Sequence, residues 1–344
     1  MARRRFDAGI IGLGMALAPH ALALRELRER VRVRAVWSPV AEERQRASRD
    51  WGFPAVSEAA AILEDPAIDV LLLLTPPGAR RTYVEAAAAA GKQLLVEKPL
   101  ARDLAEAREL VSCCERAGVT LGVVLQQRFR EAVRRLRELV VAERTGALVA
   151  AHLQLPWWRP QDYYEHGGRG RRGQYGSGVL AGQAIHALDL LGWIAGPVRE
   201  VVALAATTRL HRIEVEDFVA AGLLFANGAP GGILATTAER PGFSEALHVV
   251  FERVTAVLEG ARLRLHWRDG REERYGESVP TGAGERPMDF PYRWHRALLA
   301  DFLDALEEGR PPAVPGREAL RVHALIDALL AAAREGRRVP VPCP

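Results

Sequence analysis

At 344 residues the chain is longer than one average core and fits two domains of roughly 100 to 200 residues each. Apolar residues make up 49% and charged residues 26%, and no apolar run nears the roughly 18 residues needed to cross a bilayer, so the chain reads as soluble and globular, with no membrane partner. A net charge of +4, interleaved with acids, is too small to argue for nucleic acid, and the dense run from Arg128 to Arg137 reads as a solvated helix face.

The segment Met1 to Phe6 is basic but meets Asp7 and then a Gly-rich turn, without the apolar stretch of a secretory leader, so the expected location is the cytoplasm. Phe6 to Ile11 reads as a strand, Ala16 to Arg30 as a helix, Val31 to Trp37 as a strand and Ala41 to Trp51 as a helix. Asp69 to Leu74, almost pure Leu, reads as a strand buried on both faces. A helix over Arg80 to Ala90 leads to a strand at Gln93 to Val96, a helix at Ala101 to Ala117 and a strand at Thr120 to Leu125. Repeated units of this length predict a doubly wound parallel sheet covered on both sides.

After residue 127 the rhythm changes. A helix at Arg130 to Glu143 precedes a strand at Leu148 to Leu155, a loop rich in Trp, Tyr, Gly and Arg from Pro156 to Gly178, and a helix at Val179 to Ile194. Strands at Val198 to Thr208, Asp217 to Phe225, Gly231 to Glu239, Leu247 to Phe251, Thr255 to Glu259 and Ala261 to Trp267 are joined by short turns, which predicts a large, mostly antiparallel open sheet. Helices at Tyr292 to Gly309 and Gly316 to Gly336 close the chain. The domains are therefore 1–127, a Rossmann domain, and 128–344, an α/β domain, with the closing helices free to pack back on the first. If the sheet's outer face is as apolar as Val201 to Ala206 and Ala220 to Phe225 suggest, it needs covering, and a homodimer or homotetramer is expected.

The turn Gly12-Leu13-Gly14-Met15 joins the first strand to the first helix, where backbone N–H groups and a helix N-terminus receive a dinucleotide's pyrophosphate. Leu17 replaces the third glycine of the usual pattern. At the end of the second strand a carboxylate would bind the ribose of NAD, but the residue is Ser38. With Arg44 a turn away, the pocket is expected to accept the 2′-phosphate of NADP at least as well as NAD. Thr75-Pro76-Pro77 and Glu97-Lys98-Pro99 place two more strand ends on the same edge. Of the 47 basic residues 45 are Arg, and Lys92 and Lys98 are the two lysines. A Lys retained in such a chain needs a reason, and proton exchange is one that Arg cannot serve. Cys113 and Cys114 are adjacent, Cys343 is near the terminus and no Cys-x-x-Cys exists, so neither a disulfide framework nor a metal site is expected.

These motifs, with Arg128-Phe129, Gly178-Val179-Leu180, Gln183 through Asp189, and Ala332 through Gly336, are in order over nearly the whole chain. They resemble the Gfo/Idh/MocA family, the glucose-fructose oxidoreductase and inositol dehydrogenase group. The resemblance implies an NAD(P)-dependent oxidoreductase passing hydride between nicotinamide and a secondary alcohol or ketone of a sugar, polyol or nucleotide sugar. It implies that Lys98 lies beside nicotinamide and substrate, that a cis bond precedes Pro99, and that His186 faces Lys98 from the second domain. Glu97 and Gln126 join the cofactor set, and Arg159, Tyr163 and Gln183 are candidate substrate contacts, in a Trp-Tyr loop similar to those of branches acting on nucleotide sugars or uronic acids. Family members with an acid-base Asp carry it four residues before this His, where the chain has Gly182, and the His often found after Thr-Pro is Arg80 here. Two alternatives share these residues: a redox-neutral hydrolase or lyase using tightly held NAD, and a cofactor-binding regulator without turnover, which Gly182 favours and Lys98 opposes.

Overall fold

A computed structural model describes residues 4–343. The chain divides into two compact units: residues 1–126 with 292–319, and residues 127–291 with 320–344. The segment 292–319 belongs with the first unit.

In the first unit β1 (Phe6–Ile11) leads through the glycine turn to α1 (Leu17–Glu26), then β2 (Val31–Trp37), α2 (Ala41–Trp51), a single turn α3 (Ala60–Leu63) and β3 (Val70–Leu73). α4 (Arg80–Ala89), β4 (Gln93–Glu97), α5 (Leu104–Arg116) and β5 (Leu121–Val124) complete it. The five strands pair in parallel in the order β2-β1-β3-β4-β5. The order reverses between β1 and β3, the place where open α/β sheets take ligands beyond their strand ends. Val70 through Leu73 are fully buried, as a strand covered on both faces requires.

The second unit opens with α6 (Glu131–Val141) and β6 (Leu148–Pro156). The expected loop that follows contains two short helices, α7 (Gln161–Glu165) and α8 (Arg172–Tyr175), before a π-helical turn (Leu180–Ala184) that runs into α9 (Ile185–Ala195). β7 (Val198–Ala206), β8 (Phe218–Phe225), β9 (Pro230–Thr236), β10 (Ala246–Phe251), β11 (Val254–Glu259), β12 (Arg262–Trp267) and β13 (Glu272–Gly276) follow. After α10 (Arg293–Glu308), which packs on α1 in the first unit, come α11 (Gly316–Glu335) and β14 (Val339–Pro340). The nine-stranded sheet runs β13-β12-β11-β10-β6-β9-β8-β7-β14 and is antiparallel except for the β6–β9 pair. α6 and α9 pack on one of its faces. The two edge strands escape sequence reading: β13, Glu-Glu-Arg-Tyr-Gly, is charged as exposed edges are, and β14 has two residues and a proline. Within residues 172–195 the chain is long and apolar enough to span a bilayer by length and composition, and 78% of that apolar window is buried, as in a core helix.

Candidate active site

At the carboxyl edge of the parallel sheet, Gly12 has φ +98°, and a Cβ there would lie 2.7 Å from the backbone of Leu74 and Thr75. Only glycine lets the chain turn this close to the end of β3. Gly14, by contrast, faces open space apart from one oxygen of Glu43, 3.8 Å from where a Cβ would stand. α1 starts without a side-chain cap or an acid in its first turn; the Leu17 N–H donates to the Gly14 carbonyl at 3.1 Å, and the positive end of the helix dipole suits an anion. Leu17, in place of the third glycine, is buried. Met15 at the turn is exposed and Leu13 is buried.

The pocket at the end of β2 corrects the premise drawn from Ser38: it is not free of carboxylate. The buried Ser38 donates its hydroxyl hydrogen to Glu43 at 2.5 Å, so an acid reaches this point from the first turn of α2. Arg44 donates to the Ser38 carbonyl at 2.6 Å. A carboxylate in the first helical turn, five residues beyond the serine, was the signal available in the sequence.

The ends of β3 and β4 are tied together by Arg80, a buried guanidinium that donates to the carbonyls of Thr75 and Pro99. The Lys98-Pro99 bond is cis and Lys98 is half-buried. Its backbone N–H donates to the carboxylate of Glu97 at 3.0 Å, and the other Glu97 oxygen accepts from His20 Nε2 at 2.9 Å. His295 on α10 completes the group edge-on to His20, with ring centroids 4.9 Å apart. Burial would raise the Glu97 carboxyl, but the His20 hydrogen bond and the positive charge of His20 and Lys98 outweigh it and hold the acid below its ordinary range. Burial, followed by the His20 charge, pushes His295 down to about 3. Donor atoms of His20, Glu97 and His295 lie within 4.8 Å of one another, yet the described hydrogen bonds already account for Glu97, and the group is a buried prop under Lys98. Neither His20 nor His295 was singled out from the sequence.

Thr75 Oγ1 and Gln126 Oε1 on this edge are buried with no hydrogen-bond partner among the described residues. Buried polar atoms want partners. With the open face of Gly14 and the uncapped helix, they fit a dinucleotide laid across the strand ends. Pro76 and Pro77 shape the loop between them. The second lysine is accounted for otherwise: Lys92, at the opposite edge, donates to the carbonyls of Asp65 and Ile68, and burial lowers its pKa. A cavity of about 820 Å³ lined by Arg4, Asp69, Lys92 and Arg317 also lies at that amino edge, away from the glycine turn. Burial pushes the Cys114 thiol up to about 12, so it is inert.

In the second unit His186 stands in the first turn of α9, buried, directly after the π-helical turn. Such turns are rare and concentrate at functional sites. Two buried ion clusters fix it. One Glu216 oxygen accepts from Ser177 Oγ and the N–H groups of Gly178 and Leu180, anchoring the start of the turn. Gly178 is required there, since a Cβ would lie 1.9 Å from the Glu216 carbonyl oxygen. One turn beyond His186, Asp189 accepts two hydrogen bonds from Arg128 at 2.7 and 2.5 Å, both residues buried. Gln183 donates to Tyr163 Oη at 2.9 Å, and its own Oε1 is buried without a partner among the described residues. These two remain grouped with the helix.

Arg159 is held within the second unit. Expected to touch substrate, it is buried and donates to the carbonyls of Trp158, Gly282, Ala283 and Gly284, with Trp157 and Tyr163 against its guanidinium. A planar fork with five donors suits this clamp of two loops. His211 bridges Asp217 and the Arg159 carbonyl at 2.6 and 2.7 Å, extending the same framework.

Residues 6–125 match a family model described as an oxidoreductase family with an NAD-binding Rossmann fold, and residues 133–257 match the GFO/IDH/MocA C-terminal domain. A D-apiose dehydrogenase from Paraburkholderia graminis is 26% identical, covering 98% of this chain and 90% of its own length. A 1,5-anhydro-D-fructose reductase from Ensifer adhaerens is 27% identical over 83% of this chain and 84% of its own. Among solved structures, the WlbA dehydrogenase from Bordetella pertussis in complex with NADH and UDP-GlcNAcA superposes with a TM-score of 0.86 at 28% identity, covering 99% of both chains.

Proposed function

The chain belongs to the Gfo/Idh/MocA oxidoreductase family, and from that premise we propose an NAD(P)-dependent dehydrogenase or reductase acting on a secondary alcohol or ketone of a sugar or sugar derivative. The observation that carries it is the carboxyl edge of the first unit. There a glycine turn, an uncapped helix, two unpartnered buried oxygens and a propped lysine converge on one row of strand ends. When bound, the nicotinamide supplies or takes up the hydride. Gly12 to Met15 and the start of α1 would hold the pyrophosphate, and Thr75 and Gln126 the remainder.

Lys98 is the group we assign to the proton: its amine takes the hydroxyl proton in the oxidative direction and returns it in the reductive one. Glu97 and His20 fix the backbone from which Lys98 projects. His186, with Gln183 and Tyr163, is our candidate set of substrate contacts from the second unit. The full names of the relatives support a sugar or sugar derivative and leave the choice between free sugar and nucleotide sugar to experiment. Incubation with NAD or NADP and a panel of aldoses, uronic acids and nucleotide sugars, read by the near-ultraviolet absorbance of reduced nicotinamide, tests the reading. Turnover with one class supports it. Failure of every class, with no dinucleotide bound, overturns it.

We also propose that the chain forms a homodimer or homotetramer through the outer face of the nine-stranded sheet. Val202, Leu204 and Leu234 are 45%, 59% and 41% exposed there, and large exposed aliphatics gathered on one sheet face favour cover. Sedimentation showing a monomer at micromolar concentration would rule this out.

A further inference from the structure

We infer that Glu43 selects the cofactor, making the protein a binder of NAD(H) in preference to NADP(H); the inference rests on the dinucleotide reading above. Ser38 follows directly on β2, and the ribose of the adenosine half lies at this end of the sheet in a doubly wound fold. A hydroxyl there could greet a 2′-phosphate by donating to it. In this chain its one hydrogen is already given to Glu43, and its oxygen accepts from the Val40 N–H at 3.3 Å. Ser38 is therefore occupied as a donor and serves to hold the acid.

Glu43 uses one oxygen for Ser38, while the other is the atom nearest the open side of Gly14, at 3.8 Å from an ideal Cβ. The carboxylate thus stands between the glycine turn and the end of β2, half-buried, with an acceptor that takes no hydrogen bond among the described residues on the side of Gly14. A vicinal ribose diol offers two donors to such an acceptor. A 2′-phosphate brings like charge to a partly desolvated carboxylate, where repulsion is weakly screened. Glu42 adds a second acid in the same helical turn.

Arg44 is the cation that would favour NADP, and its guanidinium is drawn to the Ser38 carbonyl at 2.6 Å on the side of the strand end. The acid therefore determines the preference, with Arg44 as part of the scaffold. The selecting carboxylate has moved from the strand end to the following helix, five residues on.

Titration of the purified chain with NADH and with NADPH, followed by nicotinamide fluorescence and without substrate, tests this independently of turnover. The expected result is NADH tighter by at least about tenfold, as one well-placed charge clash gives. Glu43→Gln, nearly isosteric and able to keep the Ser38 contact, should bring the two affinities within about threefold of each other, chiefly by tightening NADPH. Ser38→Ala, which frees Glu43 from its tether, should narrow the ratio less. NADPH binding as tightly as NADH to the unaltered chain, or an unchanged ratio in Glu43→Gln with its fold intact by circular dichroism, overturns the inference while leaving the dinucleotide reading in place. Binding of neither dinucleotide overturns both.

Discussion

The dinucleotide edge of the first unit and the α9 region of the second both depend on buried polar groups, yet they are assembled over different distances along the chain. At the edge most ties are local: Ser38 to Glu43 spans 5 residues, Arg80 to Thr75 spans 5, and the Lys98 N–H meets its immediate neighbour Glu97. Around α9 the ties are remote: Gly178 reaches Glu216 across 38 residues and Arg128 reaches Asp189 across 61. A cradle made of strand ends and turns survives the loss of one side chain, because its geometry is backbone. A helix held by buried ions does not.

The largest effect is therefore expected at the remote tie. Asp189→Ala removes the carboxylate that accepts two hydrogen bonds from the buried Arg128, and breaking such a buried pair costs about 3 to 5 kcal/mol. Hydrogen exchange of the amides in 179–195 should show the loss locally, and replacing both partners by Met and Leu should recover most of it, since the apolar pair carries no orphan charge. A cost of Asp189→Ala below about 1 kcal/mol would mean that the ion pair does not hold the helix, and the contrast between the units would fail.

Next comes Lys98→Arg, which keeps charge and removes a transferable proton. The expected fall in kcat is about a hundredfold or more, with the NADH dissociation constant changed by no more than a few-fold. Near-normal turnover would reduce Lys98 to an ion partner, and the first unit would then be a cofactor holder alone.

The difference in range also explains what could be read from the sequence. The glycine turn, the Leu-rich β3 and the Lys98 strand end are legible because each works within a few residues of itself, and their order predicts the parallel sheet. Glu43 was within reach too, one helical turn from Ser38, but the eye looks for the acid at the strand end. His20 and His295 could not be linked from spacing, because their meeting depends on α10 returning to α1 after the whole second unit. The carbonyl contacts of Arg159 were hidden because an arginine in an aromatic loop looks the same in sequence whether it faces substrate or four carbonyls. Only the structure tells which donors are spent.

A subtler effect is set by pH. His295 has an ordinary pKa of 6.5 and is pushed down to about 3 in the fold, so below about 6.5 the unfolded chain takes up a proton that the folded one refuses. Stability should fall as pH drops from about 6.5 toward 3. Glu97, depressed as well, contributes in the same direction, its share being lost as pH falls through its folded pKa. Melting temperature against pH should slope down on the acid side, and His295→Phe should flatten the upper part of that slope. An unchanged slope would show that the buried prop under Lys98 is not what titrates.

The smallest effect is expected at Gly182, and it bears most directly on how the two units divide the work. A Cβ there would meet nothing within 4 Å, and its φ is not positive, so an aspartate fits in the turn before His186. Glycine in a helical interior is unfavourable by roughly 0.5 to 1 kcal/mol, so Gly182→Asp and Gly182→Asn should leave stability unchanged or slightly raised. If Lys98 alone moves the proton, neither variant should change kcat by more than a few-fold. A rise of tenfold or more in Gly182→Asp but not in Gly182→Asn would mean that proton transfer in this chain lacks a carboxylate. The second unit, and not the lysine of the first, would then limit the rate, and the pH profile of kcat in Gly182→Asp should gain an acid limb that the asparagine variant lacks.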